Sequence, residues 1–118
     1  MSTFYYPITL FSPDKTREIQ IKSLVDTGST YTRLPGNQLR AMGYKPSFQE
    51  VFELGDGRTV QADVGEAIVS LDGKSGNTRV IFGKIGEEPL LGAVTLEEFL
   101  FAPDPIHRRL LPVRGLLV

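Results

Sequence analysis

Apolar and polar residues alternate along most of this chain, the period of a half-buried β-strand. Over Thr3–Phe11, Phe4, Tyr6, Ile8 and Leu10 share one face. Pro7 lacks a ladder donor and predicts an edge position or a bulge. Ser12-Pro13-Asp14-Lys15 is turn chemistry. Arg17–Val25 alternates again, with Ile19 and Ile21 inward and Glu18, Gln20 and Lys22 outward, so the two runs make a hairpin leading into Asp26. Tyr31–Leu34 predicts a short strand, and Pro35–Met42 one or two helical turns stopped by Gly43. Glu50–Leu54 and Arg58–Val64 are two arms around Gly55-Asp56-Gly57, and an Asp-Gly pair between such arms is a strong hairpin signal. Val60, Ala62 and Val64 share a face, but beyond Gly65 the apolar set becomes Ala67, Val69 and Leu71. That slip in phase predicts a bulge or bend at Gly65.

Asp72–Asn77 predicts a second hairpin turn, and Arg79–Ile85, apolar at nearly every position, a strand buried on both faces. Gly86-Glu87-Glu88-Pro89 breaks it. Thr95, with Glu98 three residues on, has the form of a capping box and predicts a helix whose apolar face is Leu96, Phe99 and Leu100. Pro103 and Pro105 end that segment, and Ile106–Val118 is a basic, apolar tail with room for one or two strands. The expected fold class is mostly β, with one capped helix in the C-terminal half.

Composition narrows the function. The chain has 118 residues, which predicts one domain over 1–118 with a real core. A net charge of -1 argues against a nucleic acid or an anionic membrane held by bulk electrostatics. With no cysteine and one histidine, neither a thiolate nucleophile nor a metal site is expected, and no cofactor is implied. Absent cysteine suits a reducing, cytoplasmic setting. Met1–Phe11 lacks the basic and apolar regions of a secretory leader, and no apolar run reaches the roughly 18 residues of a membrane span.

The chemistry concentrates in Leu24-Val25-Asp26-Thr27-Gly28-Ser29-Thr30, where a strand ends by presenting a carboxylate on a polar turn. An ordinary surface turn would use the same residue types. However, two apolar residues followed by Asp-Thr-Gly-Ser resemble the active-site loop of aspartic proteases. Leu90-Leu91-Gly92, leading into a helix, resembles that family's second signature. The chain is similar to the single-domain, retropepsin-like members over roughly Thr3–Phe101.

The resemblance implies a retropepsin-like acid-protease fold, a closed β-barrel-like domain with a flap hairpin and one short helix in its C-terminal half. It implies peptide hydrolysis by two carboxylates that share a proton and activate water. Only one Asp-Thr-Gly is present, so the catalytic form is expected to be a C2 homodimer in which the Asp26 of each copy meets the other. By position, Thr27 would cross to the partner loop, Gly28 would supply a backbone N–H beside the carboxylates, and Ser29 would hydrogen-bond the outer carboxylate oxygen. Leu90 and Leu91 would pack under the loop, and Gly92 would let the chains cross closely. The Glu50–Val64 hairpin holds the place of the flap, with Leu54, Gly55, Asp56, Gly57 and Arg58 toward a peptide bound in extended form. Val60, Ile81 and Ile85 are candidates for apolar pocket walls, or for plain core.

The sequence also departs from the family. Ala93 and Val94 follow Gly92 where retroviral members typically carry Arg and then Asp or Asn, so those polar contacts near the dimer interface are missing. The flap tip has two glycines around Asp56 rather than a glycine-rich run, which predicts a stiffer tip. His107-Arg108-Arg109 with Arg114 reads as a solvated face. A rival class is a peptide-binding or dimerising module on the same fold, with weak or no proteolysis.

Overall fold

The structure is a computed structural model and describes residues 3–118; Met1 and Ser2, which belong to the expected domain and to the start in which no secretory leader was expected, lie outside the described residues. The first hairpin joins β1 (Phe4–Phe11) to β2 (Glu18–Val25), antiparallel over their full length from Phe4↔Val25 to Phe11↔Glu18. Its turn is tied by Asp14, whose carboxylate accepts from the Thr16 N–H at 3.1 Å and from the Ser12 and Thr16 hydroxyls at 2.8 Å each. Pro7 sits on an edge as expected, because β1 gains a second neighbour only at Thr9–Phe11.

After the Asp26 loop come β3 (Thr32–Pro35) and α1 (Gly36–Ala41), the latter ended at Met42 with Gly43 at φ 107. Next, β4 (Phe48–Glu53) and β5 (Thr59–Leu71) form the long hairpin, and β6 (Lys74–Gly83) returns along β5. The chain ends with β7 (Leu90–Leu91), α2 (Ala93–Glu98) and a separate hairpin of β8 (Phe101–Asp104) and β9 (Arg109–Pro112).

The main sheet runs β1-β2-β7-β3-β6-β5-β4, and β1 also pairs with β5. The first six of these strands therefore close into a ring, and β4 stays outside it. Closure buries Ile8, Leu10, Leu34, Val69, Leu71, Val80 and Leu91 completely. Emptying such a position, as in Leu91→Ala, costs about 2–5 kcal/mol.

Several sequence expectations are corrected. No bulge interrupts β5 at Gly65; the register with β6 is continuous from Asp63↔Phe82 to Leu71↔Lys74. The phase slip arises because β5 changes partner, pairing with β4 up to Val64 and with β1 from Ile68. Tyr44 bridges that change, its hydroxyl donating to the Phe11 carbonyl at 2.6 Å and accepting from the Ile68 N–H at 3.0 Å. Gly65 lies close under its neighbours: a Cβ there would sit 3.2 Å from the Lys45 carbonyl oxygen and 3.0 Å from the Phe82 ring, so a side chain would have to push them back by a few tenths of an ångström. The second hairpin turn is only Asp72-Gly73, with φ of 48° and 83°, the left-handed pair that a two-residue turn demands.

The strand expected at Arg79–Ile85 starts earlier and is not buried on both faces. β6 alternates, with Thr78, Val80 and Phe82 buried and Arg79 exposed, and Ile85 lies beyond it, fully exposed. Pro103 does not end its segment but pairs with Leu110 within the last hairpin; a proline is tolerated there because the two-stranded sheet is all edge. Arg109 in that hairpin and His107 in its turn share Asp104, whose carboxyl is held below its ordinary range chiefly by the His107 hydrogen bond.

The predicted capping box is absent too. The described residues hold two short helices, and α2 starts three residues early, with Gly92 at its N-cap in place of Thr95 and no side-chain cap. Thr95 faces inward, fully buried, and its hydroxyl lies 2.6 Å from that of Thr32 and 2.8 Å from that of Thr78. Thr78 donates to Glu98 Oε1 at 2.8 Å, and the Gly92 N–H donates to Thr32 Oγ1 at 3.1 Å. Because a carboxylate only accepts, the direction of the chain is set: Gly92 to Thr32, Thr32 to Thr95, Thr95 to Thr78, Thr78 to Glu98. A buried relay of hydroxyls thus ties β3, β6 and α2 together directly behind the Asp26 loop.

Two predictions arise here. Removing the relay's middle hydroxyl in Thr95→Val should lower stability by about 1–3 kcal/mol, since Thr32 loses its acceptor in a dry site. Thr95→Ser should recover most of that loss in denaturant unfolding; a valine variant as stable as wild type would refute the relay. The Asp14 carboxyl is lowered from 3.8 to about 2, first by the Thr16 N–H and then by the Ser12 and Thr16 hydroxyls. A depressed folded value stabilises above the unfolded pKa and is lost as pH falls through the folded one. The stability gap between wild type and Asp14→Ala should therefore be constant above about pH 4 and close toward pH 2, as read from thermal midpoints across that window.

Candidate active site

Asp26 follows the last residue of β2, and the neighbouring strand β7 fixes its backbone. Leu24↔Leu90 and Val25↔Leu91 pair in parallel, and the Asp26 N–H continues the ladder to the Leu91 carbonyl at 3.0 Å. The turn closes on itself: the Ser29 N–H donates to the Asp26 carbonyl at 3.1 Å and the Gly28 N–H to Asp26 Oδ1 at 3.0 Å. A carboxylate that accepts a backbone N–H two residues ahead is oriented before any ligand arrives. Thr27 and Gly28 lie exposed at the rim, and Asp26 is half-buried.

Beneath the loop, β7 runs into α2. The Ala93 N–H donates to the Ser29 carbonyl at 2.8 Å and the Val94 N–H to the Thr30 carbonyl at 3.0 Å. A Cβ on Gly92 would sit 2.5 Å from the Tyr31 carbonyl carbon, so only glycine permits this crossing. Leu91 packs under the loop as expected, fully buried, whereas Leu90 points the other way into a cleft.

That cleft is a cavity of about 320 Å³ between the Asp26 loop and the long hairpin. One side is Gly28, Ser29, Thr30 and Tyr31; the opposite side is Phe52, Glu53, Leu54, Gly55, Val60, Gln61 and Ala62 from the hairpin. The floor is a row of register partners across three strands, Leu90, Arg33 and Ile81, with Lys84 and Glu87 beyond.

Of the residues expected to meet a peptide, Ser29, Leu54 and Gly55 line the cleft, as do Val60 and Ile81. Asp56, Gly57 and Arg58 do not. The hairpin closes at Leu54 and Arg58, with Leu54 N–H donating to the Arg58 carbonyl at 2.7 Å, and Gly57 at φ 87 completes a three-residue loop rather than a two-residue Asp-Gly turn. Asp56 and Arg58 bond to each other at 2.7 Å on the outer tip. Ile85, taken as a wall candidate, is in the following turn and far from any wall role. Asp26 and Thr27 immediately precede Gly28, the first loop residue to line the cleft, and are not themselves among its lining residues.

Sequence reasoning missed Tyr31, Phe52 and Arg33. Tyr31 and Phe52 meet edge to face at 5.8 Å, and Arg79 lies over both Tyr31 and Phe48, at 5.7 and 5.3 Å. The stack joins the site loop to the hairpin, and the Tyr31 hydrogen bond holds the Arg79 guanidinium pKa above its ordinary value. Arg33 donates through Nε and Nη2 to the Glu88 carbonyl at 3.0 and 2.8 Å. Its signal was simple alternation: Thr32 and Leu34 are buried, so Arg33 must face the cleft. Among the described residues, no group of three His, Cys, Asp or Glu is placed to hold a metal ion.

No family model matches the chain. No curated protein sequence matches it either. Solved structures do. The simian foamy virus (mac) protease superimposes with a TM-score of 0.55 at 18% identity, covering 83% of this chain and 99% of that one. The EIAV protease, solved with the inhibitor HBY-793, gives a TM-score of 0.59 at 16% identity, covering 80% of this chain and 86% of that one. The chain has the retropepsin-like acid-protease fold.

Proposed function

We propose that this chain is one subunit of a homodimeric aspartic endopeptidase. The observation that carries the reading is Asp26 itself: a carboxylate pre-oriented by the Gly28 N–H, on an exposed loop at the mouth of a cleft roofed by a hairpin. One subunit supplies one such carboxylate, and hydrolysis without metal or covalent intermediate needs two. A second copy related by a two-fold axis supplies the other, and the exposed Thr27 and Gly28 are the loop residues available to meet it.

In that dimer one proton is shared, because two carboxylates in contact do not both ionise. The ionised one takes a proton from water as its oxygen attacks the scissile carbonyl carbon. The protonated one gives its proton to the carbonyl oxygen. Collapse of the tetrahedral intermediate returns that proton to a carboxylate and passes one to the leaving nitrogen, so both groups end as they began. The peptide lies extended between the floor and the hairpin, which excludes water from the reacting bond. The rival reading, a peptide-binding module, keeps the cleft and the hairpin and drops the chemistry.

Asp26→Asn should abolish cleavage of an unbiased peptide library at about pH 4–7, a loss of roughly 10³-fold or more. Folding should survive, since an asparagine carbonyl still accepts the Gly28 N–H. Activity per subunit should also fall on dilution, as a dimer dissociates by mass action. A folded, dimeric wild type that makes no cuts across this range would favour the binding module, and cuts retained by the variant would move the active site elsewhere.

A further inference from the structure

The floor of the cleft carries a cation where its neighbours are aliphatic. Arg33 is flanked in register by Leu90 on β7 and Ile81 on β6, and its side chain is 25% exposed. A guanidinium has five N–H donors. Nε and Nη2 are used on the Glu88 carbonyl, and the nearest anion, Glu87 Oε2, is 3.6 Å from Nη1, beyond hydrogen-bond reach. Glu87 is held back by its own turn, where its Oε1 accepts from the Lys84 N–H at 2.7 Å. Both Nη1 donors and one on Nη2 therefore have no acceptor among the described residues. A ligand that fills the cleft strips water from them, which is unfavourable unless the ligand brings an acceptor.

We infer that Arg33 determines specificity, selecting a peptide with an Asp or Glu side chain in this pocket. The inference rests on the cleft being the peptide site. A carboxylate matches the guanidinium fork in shape and in charge, and it would take Nη1 where Glu87 does not reach. The rest of the lining carries one cation, Lys84, against two carboxylates, Glu53 and Glu87, and Glu87 already stands 3.6 Å from Arg33 as an ion pair; Arg33 is the cation on the floor and the one with donors still to place. The walls of Tyr31, Phe52 and Val60 suit the methylene stem of the incoming side chain. In a two-fold dimer the pocket occurs twice, so the preference falls on both sides of the scissile bond.

The test compares two synthetic peptides that differ only in Glu against Leu at the pocket position, at about pH 6, where a peptide carboxylate is ionised. Wild type should favour the Glu peptide in kcat/KM by roughly 10- to 100-fold, the range of a charge-assisted hydrogen bond. Arg33→Leu should reverse the preference. Glu87→Gln, which removes the resident anion and leaves Arg33 intact, should strengthen it, and this variant serves if Arg33→Leu does not fold. Fluorescence anisotropy with Asp26→Asn reads the same ranking as binding and separates the two claims. Tighter binding of the Glu peptide without cleavage by wild type would keep the specificity and remove the protease. Cleavage with equal or better use of the Leu peptide, unchanged by either substitution, would overturn the specificity alone and leave Arg33 a clamp on the Lys84–Pro89 turn. A protein that neither cuts nor binds the Glu peptide would overturn it as well.

Discussion

The fold depends on one crossing. β2 and β3 are consecutive in sequence but β7 lies between them in the sheet, so residues 26–31 must bridge over a strand that arrives some sixty residues later. The chain leaving β7 then passes beneath that bridge at a distance that leaves no room for a Cβ on Gly92. Three backbone hydrogen bonds, from Asp26 to Leu91, from Ala93 to Ser29 and from Val94 to Thr30, hold the two segments together. The same crossing sets Asp26 at the rim, turns Leu90 into the cleft and begins α2. A loop built this way is positioned by ladder geometry, and its precision comes from the sheet.

How much of this was legible in the sequence follows from the range of the interactions. The places of the Asp26 loop, Leu91 and Gly92 in the fold were readable from short motifs in the right order, and the Asp72-Gly73 turn from its residue types, though within a longer expected turn of Asp72–Asn77. Thr95 was not. A threonine three residues before a glutamate looks like a cap, but Thr32 and Thr78, distant in sequence, are the partners that fix it. Glu98 does bind a threonine, across the sheet to Thr78, where a capping box would have turned it back on its own helix. The phase slip at Gly65 was seen correctly, but the bulge, one of its two readings, is not there, because an exchange of strand partners leaves the same trace in a hydrophobic pattern as a bulge does.

The relay also bears on the departure at Ala93 and Val94. With no polar side chain directly after Gly92, the backbone amides of those two residues hold the site loop, and the polar anchoring moves inward to Thr32, Thr95, Thr78 and Glu98. Buried hydroxyls are unfavourable singly and stable as a fully bonded set, and no buried side-chain polar atom among the described residues lacks a partner. The support for the loop is thus internal to this chain.

The long hairpin is coupled to this loop more closely than its exposed tip suggests. β5 belongs to both the hairpin and the barrel, so the hairpin's base is continuous with the core. Between Val64 and Ile68, however, β5 has a ladder partner on one side only, with the Tyr44 hydroxyl and the Ser47 N–H closing the gap. Thr59–Ala62, paired with β4 alone, are likewise held on one side only. Above this point the hairpin is fastened by side chains: Phe48 through Arg79 to Tyr31, and Phe52 directly to Tyr31. An aromatic pair of this kind contributes about 0.5–1.5 kcal/mol, and an exposed cation–π contact about 0.5–1 kcal/mol. Tyr31 follows the Asp26 turn directly, so the residue that fastens the hairpin sits one position before the strand that carries Arg33. Tyr31 thus ties the hairpin, the cleft floor at Arg33 and the Asp26 carboxylate to one short stretch of backbone.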